Sequence, residues 1–186
     1  FVGWQIQKNG LSIQESIQQT LTKILKQKTT LYGAGRTDSG VHAYAQSAHF
    51  IVKTKIKNKL IFLNTVNFFL NKKKISILEM YVKKKNFHAR YSALKRSYTY
   101  IIVNRSAPLS LDVNKAWHIK SVLNMTLIKK AAKFLEGTKD FSAYRSSSCG
   151  ATSPVRTLDK VIVTKRGNRI TITFKSRSFL QQQVRS

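Results

Sequence analysis

Apolar residues recur at helical spacing in three stretches of the chain. Ile13, Ile17, Leu21, Ile24 and Leu25 share one face. They follow Ser12-Ile13-Gln14-Glu15, a capping box in which a hydroxyl and a carboxylate satisfy each other's exposed amides. The pattern predicts a helix over residues 12–26. Leu60, Ile61, Leu63, Phe68 and Phe69 predict a second helix over 59–70, at looser spacing. Leu127, Ile128, Ala131, Phe134 and Leu135 predict a third, which Gly137 is placed to end. Short apolar runs between them predict strands at 29–32, 46–52 and 75–82. A fourth lies at 97–103, where Ser-Tyr-Thr-Tyr-Ile-Ile-Val is aromatic and β-branched. Residues 158–164 and 169–174 alternate apolar and polar around Arg166-Gly167-Asn168, a hairpin signature.

These elements imply an α+β fold with helices on one face of a sheet. Pro108, within 104–111, reads as a linker. It divides the chain into an N-terminal half, 1–106, and a C-terminal half, 107–186. Residues 140–154 are rich in Ser, Gly and Thr and read as loop. The segment 179–185 opens an element that the sequence does not finish.

Charge changes the picture most. Thirty-four Lys and Arg against seven Asp and Glu give +27 at pH 7. Such a field attracts polyanions, RNA and DNA first. An A/T-biased genome would also raise Lys, Asn and Ile together, and would leave runs such as Lys72-Lys73-Lys74 and Lys83-Lys84-Lys85 as solvated surface. Arginines beside aromatics, at Arg90-Tyr91 and Tyr144-Arg145, favour a nucleic-acid surface. The one cysteine, Cys149, permits no internal disulfide, as expected of a reducing, cytoplasmic setting. Four dispersed histidines and one thiol give no zinc spacing, so no metal is expected. No apolar run approaches a membrane span. A chain that starts at Phe1 and stops at Ser186, just after an apolar stretch, is expected to be a piece of a longer one.

Only one of the seven acids, Asp38, stands in a loop set with glycines, at Gly33, Gly35 and Gly40. A loop Asp commonly turns its own backbone. A carboxylate there can equally face a substrate, because glycine lets a ligand come close. Two phosphate-binding motifs are excluded. Asp38 occupies the slot of the third glycine of a dinucleotide fingerprint, and the Gly-Lys-Ser/Thr end of a P-loop is absent.

Gly35-Arg36-Thr37-Asp38-Ser39-Gly40-Val41-His42 resembles the signature loop of the TruA family of tRNA pseudouridine synthases. The likeness continues in order. It runs through Gly3-Trp4-Gln5, a segment near Asn67, Phe87-His88-Ala89-Arg90-Tyr91-Ser92-Ala93 and Tyr98-Thr99-Tyr100. Asp140-Phe141-Ser142, Ser153-Pro154-Val155-Arg156-Thr157 and Phe179-Leu180 with Val184-Arg185 complete it. The resemblance implies two similar RRM-like α/β halves that share a central antiparallel sheet, with an active-site cleft between them. It implies a homodimer, a tRNA anticodon stem-loop as substrate, and no cofactor. Asp38 would be the nucleophile, at C6 of the ring or C1′ of the sugar, two attacks that the sequence leaves open. Arg185 would partner Asp38, and Tyr98 would stack on the target base. Arg36 would fill the space left by the flipped uridine. Phe87, His88, Arg90, Tyr91, Arg145 and the loop holding Cys149 would contact RNA. His49, in the strand after the Asp38 loop, reads as a packed or edge histidine.

The chain departs from the family pattern in three ways. Gln183 stands where a Met usually precedes Val-Arg, the opening strand with its Tyr-Asp-Gly turn is absent, and so are the helices after Val-Arg. The rival expectation is a basic RNA-binding module, or an inactive tRNA-binding relic of the same fold.

Overall fold

Ser12 starts the first helix as its sequence predicts. Its hydroxyl accepts from the Glu15 N–H at 3.1 Å, and α1 runs Ile13–Leu25. The Glu15 carboxylate accepts from Gln19, one turn on, at 3.2 Å. The computed structural model describes all residues, 1–186, and divides them into two units, Phe1–Ala93 and Leu94–Ser186.

In the first unit α1 is followed by β1 (Tyr32–Gly33), β2 (Ala48–His49) and α2 (Lys59–Asn71). β1 and β2 pair antiparallel, with Tyr32 opposite His49 and Gly33 opposite Ala48. Both strands are shorter than the apolar runs suggested. Trp4, Ile17, Leu21, Leu31, Val66 and Leu70 form the core, and Ile75 and Ile77 pack against it.

Residues 75–82 were expected as a strand and form none. The alternation correctly marks Ile75 and Ile77 as inward-facing. The rung at Ile77 is supplied by a side chain, however. Its N–H donates to Asn67 Oδ1 at 2.7 Å, and its carbonyl accepts from Asn67 Nδ2 at 2.9 Å.

The second unit holds β3 (Arg96–Asn104), β4 (Trp117–Ile119), α3 (Met125–Phe134), β5 (Gly137–Asp140), β6 (Val155–Arg166) and β7 (Arg169–Ser176). They form one sheet in the order β4-β3-β7-β6-β5, antiparallel except for β3 beside β4. The predicted hairpin is β6–β7, turning at Gly167 and Asn168 with Arg166 opposite Arg169. Gly167 has φ +55° and stands first in the turn, the place that a type II′ turn gives to glycine.

One sheet face carries Tyr98, Phe174 and Val161 in register, then Tyr100, Ile172 and Val163. Ala132, Phe141, Leu158, Val161 and Leu180 form the core on that side. The opposite face carries hydroxyl pairs, Thr99 with Thr173 at 3.0 Å, Thr164 with Thr171 at 2.6 Å and Thr138 with Thr157 at 2.8 Å. The division between units falls at Ala93/Leu94, ahead of the Pro108 linker. The reason is that β3 aligns with β7 from Arg96↔Ser176 to Val103↔Arg169. The linker itself is folded back, since Arg105 donates to the Ala107 and Pro108 carbonyls.

Candidate active site and RNA interface

The Asp38 loop leaves β1 and is held at both ends, by backbone bonds and one side-chain amide. Ala34 N–H donates to Ser47 O at 2.8 Å, and Gln46 Nε2 to Gly35 O at 2.7 Å. On the other side Trp4 N–H donates to Thr37 O at 2.9 Å. Two glycines make this approach possible. A Cβ on Gly3 would lie 2.7 Å from Thr37 O, and one on Gly33 would lie 2.4 Å from the Trp4 indole. The turn after Asp38 closes through its carbonyl, which accepts from Val41 N–H at 3.3 Å. That turn therefore leaves the carboxylate out. Asp38 is half-buried and Arg36 exposed.

The expected RNA-contact residues of this unit cluster. His88 lies 4.4 Å from Tyr91 and 4.7 Å from His49, ring centre to ring centre, while Phe87 stands edge-on to His49 at 5.9 Å. Tyr32 stacks on His49 at 5.0 Å, with 19° between the rings. Lys83 Nζ sits 5.8 Å from the Phe87 ring centre. Arg90 is exposed in the same loop. Tyr32 and His49 were not among the residues expected to touch RNA. The only signal in the sequence was their place at the two ends of the Asp38 loop. Desolvation, and then the neighbouring His88, hold the His49 pKa below its ordinary value.

In the second unit Tyr98 is half-buried on β3, with Phe179 edge-on at 5.0 Å. Phe179 leads into the turns that carry Arg185, which is exposed and whose N–H donates to Gln182 O at 2.8 Å. Gln183 lies under this turn. Its Oε1 accepts from Leu180 N–H at 2.8 Å, and its buried Nε2 has no protein partner. It lines a small cavity with Phe141, Tyr144, Phe174 and Phe179. The polarity expected of Gln183 is thus half used, as a clamp on the 180–186 turn.

Cys149 is half-buried. Hydrogen bonds from the backbone of Ala151 and Gln181, then the charges of Arg145 and Arg156, hold its thiol pKa below the usual range. Asp140 caps the start of that loop. Its carboxylate accepts from Ser142 N–H at 2.7 Å, and the Ser142 side chain and backbone lower its pKa. No helix is long and apolar enough to cross a membrane. No group of His, Cys, Asp and Glu is arranged to hold a metal ion.

Comparison with known proteins finds relatives that match over the whole chain. A protein of Pelagibacter ubique named tRNA pseudouridine synthase A is 53% identical over 186 residues, all of this chain and 76% of its own length. The chain belongs to the tRNA pseudouridine synthase A family. Relatives of the same name from Neorickettsia sennetsu and Anaplasma marginale are 40% and 42% identical, each across 100% of this chain and 76% of theirs. A family model described as tRNA pseudouridine synthase matches residues 131–186, from α3 through Arg185. The mixed α+β architecture and its mostly antiparallel five-stranded sheet are consistent with the pseudouridine synthase family.

Proposed function

We propose that this protein isomerises uridine to pseudouridine in tRNA, within the anticodon stem-loop, and that Asp38 is its nucleophile. The observation that carries the reading is the Asp38 loop. It resembles the family signature and is pinned by the Trp4 N–H, the Ser47 carbonyl and the Gln46 side-chain amide, contacts that leave the carboxylate out of the turn.

The chemistry needs no redox partner. The N1–C1′ bond breaks, C5 joins C1′, C5 loses a proton and N1 gains one. A carboxylate that forms a transient bond, to C6 or to C1′, keeps the base from leaving. Arg185 is the carboxylate's partner in this reading. Tyr98, steadied by Phe179, stacks on the base. Arg36 fills the vacated space in the RNA, which offsets part of an unstacking cost of a few kcal/mol. Phe87, His88, Arg90 and Tyr91 in one unit, and Arg145 and the Cys149 loop in the other, hold the RNA. RRM-like halves with a cleft between them, a homodimer and a cytoplasmic setting belong to the same reading.

The test is tritium release from tRNA carrying uridine labelled at C5. Wild type is expected to release label stoichiometrically with the pseudouridine formed. Asp38→Asn is expected to bind tRNA within a few-fold of wild type and to release none. Tight binding without release by wild type would instead support a non-catalytic RNA-binding module.

A further inference from the structure

We propose that His49 is a positioning residue for the RNA-contact loop 87–91, which it holds through an acceptor nitrogen that protonation removes. The proposal rests on the RNA-binding reading of that loop.

The geometry is specific. His49 Nδ1 accepts from the Ala89 N–H at 3.1 Å. Ala89 is 2% exposed, so water does not replace a lost acceptor there. Phe87 and His88, the two residues before Ala89, both place their rings against the His49 imidazole. His88 carries Tyr91 in turn, and its own Nδ1 accepts from the Arg90 N–H at 3.2 Å. One imidazole thus fixes the three residues at the start of the loop, and a second fixes the next two. Tyr32 backs His49 from β1 and fixes the plane of its ring.

An imidazole accepts at Nδ1 only while neutral. Protonation puts a second donor in front of the Ala89 N–H and a charge beside His88. The groups facing His49 are Tyr32 from β1, and Phe87 and His88 from the loop. Farther out are Tyr91 on His88 and Lys83 over Phe87. Lys83 also covers Tyr81, whose hydroxyl bonds Glu79. His49's pKa is lowered from 6.5, so the folded loop favours the neutral ring. The loop's hold is therefore complete at and above the ordinary histidine range, and it is lost as pH falls below His49's own, lower value.

A histidine that merely adds charge would bind RNA more tightly at acid pH. The two roles thus predict opposite slopes. The experiment measures tRNA affinity from pH 8 to 5 at fixed salt for wild type, His49→Asn and His49→Phe. A thermal melt controls for folding, and amide exchange reads the Ala89 N–H without RNA. Wild type should weaken roughly tenfold towards acid pH, the scale of one lost buried acceptor. His49→Asn keeps an acceptor and does not titrate, so its affinity should stay level or rise. His49→Phe should bind roughly tenfold more weakly than wild type at pH 8, raise KM with kcat held, and expose the Ala89 amide to exchange. Should His49→Phe fail to fold, the wild-type and His49→Asn slopes decide alone. The proposal is overturned if wild type tightens at acid pH, or if His49→Asn weakens as wild type does. Absence of tRNA binding by wild type at every pH would overturn the RNA reading itself. A protected Ala89 amide in His49→Phe would overturn the positioning role independently of RNA.

Discussion

Gly33 has no room for a side chain. A Cβ would meet the Trp4 ring at 2.4 Å, and Trp4 is 5% exposed in the core of its unit. The indole cannot retreat without disturbing Leu21, Leu31 and the rest of that cluster. Trp4 also donates its N–H to Thr37 O, directly before Asp38. Gly33→Ala should therefore act twice. Overpacking should cost about 1–3 kcal/mol, read as a lowered midpoint in urea. The Asp38 loop should shift with Trp4, so tritium release should fall by more than tRNA binding does. A variant that loses stability but keeps the wild-type rate would show that Trp4 does not position the loop. This coupling could not be read from the sequence. The glycines of the loop were visible there, but the ring that requires one of them stands twenty-nine residues earlier, a separation given by the positions of Trp4 and Gly33.

At the scale of elements, Asn67 does the work of a neighbouring strand. It stands on α2 and supplies both hydrogen bonds to Ile77. Asn67→Ala leaves a partly buried N–H and C=O without partners. It should cost roughly 1–3 kcal/mol and free residues 75–82 for proteolysis or exchange ahead of global unfolding. Limited proteolysis with a mapped first cut checks this. Asn67 also shows why some elements were legible and others were not. Periodicity reports which residues face inward, and it placed α1, α2, α3, β3 and the β6–β7 hairpin. It does not report what accepts a backbone hydrogen bond. The alternation at 75–82 therefore reads as a strand, although a side chain ten residues earlier takes the rung. The site divides in the same way. The resemblance proposes Asp38, Tyr98 and Arg185 from motif order alone. The imidazole contacts of His49 depend on the pairing of β1 with β2 and on the fold of the 87–91 loop, which no local pattern encodes.

The molecule as a whole carries +27, and the question at that scale is which lysines meet phosphate. Two runs of equal length allow a controlled comparison. Lys72-Lys73-Lys74 follows α2, where Lys72 is the C-cap and a positive charge suits the helix dipole. That local benefit accounts for the run without RNA. Lys83-Lys84-Lys85 leads into the ring cluster of Phe87 and His88, where Lys83 lies over the Phe87 ring. A phosphate beside a stacked base would fall within its reach. Each phosphate contact removed lowers the slope of log affinity against log salt by roughly 0.7–0.9. Lys84→Gln with Lys85→Gln should therefore flatten that slope by about 1–2 and weaken binding at low salt, with little change at high salt. Lys73→Gln with Lys74→Gln should leave the slope within error while removing the same charge. Equal flattening by both pairs would mean that the protein attracts RNA through its overall field, and that neither run is an interface in its own right.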